Sequence, residues 1–248
     1  MENRRATTVQ VVGASLIVLS AWAAADEPVR QTRTISQPFN EVRLLGSIDL
    51  ELTQSDSVSL AIEAPREDLP HIKSEVHGGV LTLNQDTPGS LNVFTWFSRH
   101  PSPRAFLSAK AIDRLVVDGS GDIHAGAWKA PETLEVRVAG ASNVAFDRLE
   151  AARFTCSISG SGNIQLTGSA TTQDIRISGS GNYQAPDFRS QTTSVSISGS
   201  GDIAIWAERA LDARITGSGH VRYYGAPTLT ESVTGSGGLT SLGAKRAP

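Results

Sequence analysis

The chain has a single cysteine among its 248 residues, and only 6% of them are aromatic. A lone Cys156 cannot build a disulfide framework and offers no cysteine pair to a metal. With few aromatic residues, the core must be made from Val, Ile and small side chains. The abundance of Gly, Ser and Thr then favours strands and turns over helices. No strong charge of either sign is present: 22 basic and 25 acidic residues leave a net charge of −3. Without a basic stripe, nucleic acid is excluded as a partner. The five histidines, His71, His77, His100, His124 and His220, lack metal-ligand spacing. No Lys follows the glycine-rich stretches, so they do not form a phosphate cradle.

Beyond residue 25 no run is apolar enough to cross a membrane. The first 25 residues differ: Arg4 and Arg5 precede the apolar stretch VQVVGASLIVLSAWA, and Ala23, Ala24 and Ala25 supply small residues for cleavage. This pattern predicts a secretory signal peptide cut after Ala25, with a cut after Ala23 and an uncleaved anchor as alternatives. No cysteine follows the run, which closes the lipoprotein route. The mature chain would carry 20 basic and 24 acidic residues.

What is present is a repeat. Gly-Ser-Gly words begin at Gly119, Gly160, Gly179, Gly199, Gly217 and Gly235, with a degenerate Gly140-Ala141-Ser142, at spacings of 18 to 21 residues. Two positions before each glycine stand Val117, Val138, Ile158, Ile177, Ile197, Ile215 and Val233. Four before stand Leu115, Val136, Cys156, Ile175, Val195, Ala213 and Glu231; four after stand Ile123, Val144, Ile164, Tyr183, Ile203, Val221 and Leu239. These columns are the expected core. The columns between them are polar, among them Ser159, Ser178, Ser198 and Thr216 just before the glycine and Asp122, Asn143, Asn163, Asn182, Asp202 and His220 just after the tripeptide. Such alternation marks strands with one face in and one face out.

A period near 20 that keeps every column predicts an all-β parallel β-helix, in which each strand pairs with its equivalent one repeat away. A meander of antiparallel hairpins is the competing arrangement. The expected organisation is a signal peptide over 1–25, an amino-terminal β segment over 26–108 and the Gly-Ser-Gly β-helix over 109–248. Within the amino-terminal segment, VRLLGSIDLELTQ (42–54) repeats the strand, glycine, strand order. PREDLPHIKSEV (65–76) reads as a helical turn or a loop. The stretch from Asp86 to Arg104 breaks the pattern with prolines and with Phe94, Trp96 and Phe97, and reads as a surface excursion with its aromatics on the solenoid wall.

With SGSGNIQ, SGSGNY, SGSGDI and YYGAPTLTESVTGSGGL in view, the chain resembles, from about residue 40 to about 240, the secreted bacterial proteins described as "putative autotransporter adhesin, head GIN domain". The resemblance implies a right-handed β-helix, in the periplasm or outside the cell, and brings no catalytic residues with it. The departure at 140–142 implies a looser corner there.

Catalysis on polysaccharides would need converging carboxylates. The nearest candidates, Asp122 and Asp202, are four repeats apart, roughly 19 Å at about 4.8 Å per coil. Calcium-binding solenoid turns recur every nine residues or so, so a hydrogen-bonded turn ladder is expected instead. The basic RHPSPR (99–104) reads as a solvated loop. No enzyme activity and no cofactor are expected. The residues expected to face a ligand are Phe94, Trp96, Phe97, Ser159, Ser178, Ser198 and Thr216. The partner would be cell-surface carbohydrate or an envelope protein. A structural envelope role without a ligand is the rival reading.

Overall fold

The computed structural model describes residues 28–86 and 102–245. Their strands join into one 17-stranded sheet that winds on itself as a β-solenoid. The expected columns stack in register: Val138 lies beside Val117 and Ile158, and Ile177 beside Ile158 and Ile197. β-Branched and apolar side chains at every second position turn inward, so Leu115, Val136, Cys156, Ile175 and Val195 are buried. Parallel pairing therefore holds from β8 (Arg114–Gly119) and β9 (Ile123–Lys129) to the end. It runs through β10 (Thr133–Gly140), β11 (Asn143–Gly160), β12 (Asn163–Gly179), β13 (Asn182–Gly199) and β14 (Asp202–Gly217). β15 (His220–Tyr224), β16 (Thr228–Gly235) and β17 (Gly238–Ser241) complete it.

The amino-terminal segment departs from the simple repeat. β2 (Glu41–Gly46) and β3 (Asp49–Gln54) do form a coil, with Gly46 beside Gly119. β6 (Val80–Gln85) and β7 (Arg104–Ala109) stack on its other side, also in parallel. The stacking order is thus not the chain order: the coil at 41–54 lies between two coils that follow it in sequence. The side chain of Gln54 pins the crossing, donating to the carbonyls of Lys110 (3.0 Å) and Lys129 (2.8 Å) and accepting from the Lys129 amide (2.9 Å). Three strands are antiparallel and close this end: β1 (Pro28–Arg33) on β4 (Ser59–Pro65), β4 on β7, and β5 (Ile72–His77) on β6. β5 and β6 are joined only by Gly78 and Gly79, a turn that permits a hairpin and not a parallel crossover. Residues 69–71 form a single 3-10 turn, within the stretch read as a helical turn or loop.

Each coil turns sharply at its glycine tripeptide. At Gly199, φ is +136°, and an added Cβ would lie 2.2 Å from the Gly179 carbonyl oxygen one coil away. A Cβ on Gly201 would meet the Gly181 oxygen at 2.2 Å. Positive φ and backbone contact together demand glycine at the first position of the word, and backbone contact alone demands it at the last. The degenerate corner keeps register, with Gly140 between Gly119 and Gly160. Ser142 is buried there and donates to the Gly119 carbonyl at 3.3 Å.

The interior is filled. Phe154 packs edge-on against Phe188 (5.7 Å between centroids) and stacks on Tyr183 (6.4 Å). Cys156 is fully buried, and burial pushes its thiol far above the ordinary range, so it is a packing residue and not a nucleophile. One interior column changes character: Leu134 and Phe154 give way to Gln173 and Thr193 before Leu211 restores it. Gln173 donates to the Tyr183 hydroxyl and accepts from Ser190 (3.2 Å) and Thr193 (3.4 Å), which satisfies these buried polar groups. The core columns also stop short of the last coil. Val233 is 40% exposed and Glu231 and Leu229 are exposed, because nothing among the described residues stacks above them.

Candidate functional site

The sheet preceding the corners presents a polar wall. Ser159, Ser178, Ser198 and Thr216 lie side by side on β11 to β14, all exposed, since each follows a buried Ile by one position. Further out, the rungs alternate in chemistry. Asp174 and Arg176 pair at 2.9 Å on β12, Asp212 and Arg214 at 3.0 Å on β14, and Glu135 and Arg137 pair on β10. Between them lie hydroxyl rungs, Thr155 and Ser157 on β11 and Ser194 and Ser196 on β13. Like charges directly opposite on neighbouring strands destabilise a sheet. The hydroxyl rungs hold equal charges two coils apart, about 9.6 Å, close to the screening length.

Along the corner runs a second ladder. The Asp122 amide donates to Asp49 Oδ1 (3.0 Å), and the Asn143 amide donates to Asp122 Oδ1 (2.7 Å). Asn163 Nδ2 donates to Asn143 and Asn182 Nδ2 to Asn163, both at 2.9 Å. The Asp202 amide donates to Asn182 and the His220 amide to Asp202, both at 3.1 Å. Each acceptor oxygen thus faces a donor of the next coil. The two carboxylates considered for catalysis are separated by three asparagine rungs and do not converge. Among the described residues no group of three or more His, Cys, Asp or Glu side chains is arranged to hold a metal ion.

A groove of about 430 Å³ on the strand segments that follow the corners is lined by Arg148, Thr167, Ser169, Asp187, Arg189 and Trp206, with Glu150 and Gly168. It opens where strands slip register, between Phe146 and Leu149, Gln165 and Thr167, and Gln184 and Arg189. Arg148 is tied to Glu150 (3.0 Å) and Arg189 to Glu208 (3.7 Å). Lys245 caps one rim: it donates to the Pro186 carbonyl (2.8 Å), pairs with Asp187, and lies over the Tyr224 ring (4.7 Å). This groove was not identified from the sequence. Its only trace there is the unequal coil length, since the extra residues of longer coils are what bulge. Elsewhere, His124 donates to Glu51 (3.0 Å) and Asp147 (3.2 Å), and these two carboxylates raise its pKa.

Of the expected ligand-facing residues, the structure brings Ser159, Ser178, Ser198 and Thr216 into one exposed row. Phe94, Trp96 and Phe97, like the proposed signal peptide, lie outside the described residues. No helix among the described residues is long and apolar enough to cross a membrane.

Solved structures show the same fold. A "putative adhesin" from Bacteroides fragilis NCTC 9343 superposes with a TM-score of 0.78 at 23% identity, covering 87% of this chain and 97% of its own. A "putative lipid binding protein" from Parabacteroides distasonis ATCC 8503 gives 0.66 at 25% identity, with coverages of 87% and 97%. A "putative adhesin" from Parabacteroides merdae ATCC 43184 gives 0.63 at 21%, with coverages of 87% and 96%. No curated protein matches the chain in sequence. The family model described as "Putative auto-transporter adhesin, head GIN domain" matches residues 38–227, which contain the polar wall, the corner ladder and the groove, and the chain belongs to that family.

Proposed function

We propose that this protein is an exported, non-enzymatic solenoid that binds a surface molecule through its polar wall, with cell-surface carbohydrate as the ligand class. The observation that carries this reading is the exposed hydroxyl row Ser159, Ser178, Ser198 and Thr216 beside alternating Asp–Arg rungs. Sugar hydroxyls both donate and accept, and this surface offers hydroxyls, carboxylates and guanidinium groups in a fixed array. Rigid strands hold that array in place before binding, which lowers the entropic cost of capture. Phe94, Trp96 and Phe97 would add the apolar faces on which pyranose rings stack. Adhesin membership favours binding over catalysis, and the ladder that occupies Asp122 and Asp202 agrees with it. A lipid ligand is not part of the proposal, because Phe154, Tyr183 and Phe188 fill the interior.

A glycan array probed with the exported protein tests this. Retention of one glycan class is expected, falling at least about tenfold in a Ser178→Glu, Ser198→Glu double variant, in line with loss of one or two hydrogen bonds. Retention equal in the double variant would remove the wall from the function. Retention of no glycan would leave a structural envelope role.

A further inference from the structure

The segment that follows β17 leaves the stack and returns across its face as a strap. Leu242 and Gly243 still hold to β15: the Leu242 amide donates to the Tyr223 carbonyl (2.8 Å) and the Gly225 amide to the Gly243 carbonyl (3.0 Å). Gly243, at φ +84°, then turns the chain. Lys245 reaches back over Tyr224 of β15 and Trp206 of β14 to Pro186 and Asp187 of β13, so it spans three coils. Four groups hold its ammonium. The Tyr224 and Trp206 ring centroids lie 4.7 and 5.5 Å from Nζ, the Pro186 carbonyl accepts at 2.8 Å, and the Asp187 carboxylate pairs with it. Two aromatic faces, a carbonyl and a carboxylate converging on one nitrogen form a cation-binding cage. The chain's own side chain fills it.

We propose that this cage is a binding site for the primary ammonium group of an amino sugar, with Lys245 as its built-in competitor. The cage opens into the groove, because Asp187 and Trp206 line both. An ammonium at the position of Lys245 Nζ therefore places the body that carries it in the groove. There β12 contributes only Thr167, Gly168 and Ser169, which leave a channel between the Arg148–Glu150 pair on one side and Arg189 on the other. Hydroxyls and charges of both signs suit a ring substituted with hydroxyls, which donates and accepts on every side. The volume of about 430 Å³ lies within the range of small-molecule sites.

The two acceptors of the cage, Pro186 and Asp187, require N–H donors, and a trimethylammonium group has none. This selects a primary amine. The Asp187 side chain is 62% exposed even with Lys245 upon it, so a ligand can reach the carboxylate while the strap is still in place. The site is separate from the hydroxyl row and does not rest on it.

Isothermal titration calorimetry of the protein recovered from cells expressing the full chain tests the proposal. The probe is glucosamine, at slightly acid pH where its amine is charged. A strap closed about nine-tenths of the time weakens an outside ligand about tenfold. Glucosamine should therefore bind Lys245→Ala at least about tenfold more tightly than the wild type. To that variant, N-acetylglucosamine, whose nitrogen is uncharged, and n-butylamine, which has the ammonium without the ring, should each bind at least about tenfold more weakly than glucosamine. Asp187→Asn added to Lys245→Ala should abolish the gain. Lys245→Gln serves if Lys245→Ala loses the wild-type circular dichroism. No binding of glucosamine to the opened variant, or equal affinity with and without Lys245, would overturn the proposal and make the strap a structural clasp. Equal affinity for N-acetylglucosamine would overturn it too, since the ammonium would not be read, and equal affinity for n-butylamine would remove the sugar.

Discussion

Residues one position apart on this solenoid live in opposite environments. Ile197 is 1% exposed in the centre of the stack, whereas Ser198 faces water. Burying an Ile side chain is worth about 1.5–3 kcal/mol, and an unpaired buried carboxylate adds several more. Ile197→Asp should therefore lower the thermal midpoint by roughly 10 °C or more, while Ser198→Asp should change it little. Differential scanning fluorimetry of the two variants checks this, and equal midpoints would show that inside and outside are misassigned. His124 gives a second residue-scale expectation. Its pKa lies above the ordinary 6.5 because Glu51 and Asp147 hold the protonated ring. Its stabilisation is fully present below about 6.5 and is lost as pH rises through the raised folded-state value. The ring is half exposed, so solvent screening keeps the effect below about 1 kcal/mol. Urea midpoints of the wild type and His124→Gln should differ most near pH 6 and converge above about pH 8. A gap independent of pH would assign His124 a packing role alone.

At the scale of the coil, stability is a sum over neighbours, because each rung touches chiefly the rungs on either side. Removing residues 138–157 joins Arg137 to Ile158 in the same column register and takes out one period. This coil is a better choice than the next two, whose removal would break the buried network of Gln173, Tyr183, Ser190 and Thr193. The shortened protein should keep a strand-type circular dichroism band and unfold cooperatively, at a lower midpoint because Phe188 and Tyr183 lose Phe154. Complete loss of structure would contradict stacking as the source of stability. The same periodicity explains which elements were legible in the sequence. Columns such as Val117 to Ile215 are visible because stacking forces the same choice on every copy. The interior Gln173 and Thr193 were not, since a column broken by a polar network looks like a loss of pattern. The Trp206 groove was not, because bulges place its residues out of step with the repeat.

Over the whole molecule, the parallel stack, its corners and the exposed hydroxyl row follow from residues 109–241. The amino-terminal cap does not. β1, β4 and β5 belong to no repeat and pair antiparallel, so no column reports them. The coil at 41–54 was recognisable by its Gly46 corner, but its place in the stack was hidden by distance along the chain.

That placement governs how the chain reaches its fold. From Gly119 onward the glycine words of successive coils are 18 to 21 residues apart, whereas Asp49 and its partner Asp122 are separated by 73. Closing the longer loop costs only about 1 kcal/mol more entropy than closing a loop of one period, yet it cannot begin until residue 119 is available. A chain delivered from its amino terminus therefore holds the 41–54 coil with both edges bare while both flanking coils are still to come. Bare edges are where chains mispair. The slow and vulnerable step in folding is the enclosure of this early coil, after which the glycine-cornered rungs add one by one through local contacts.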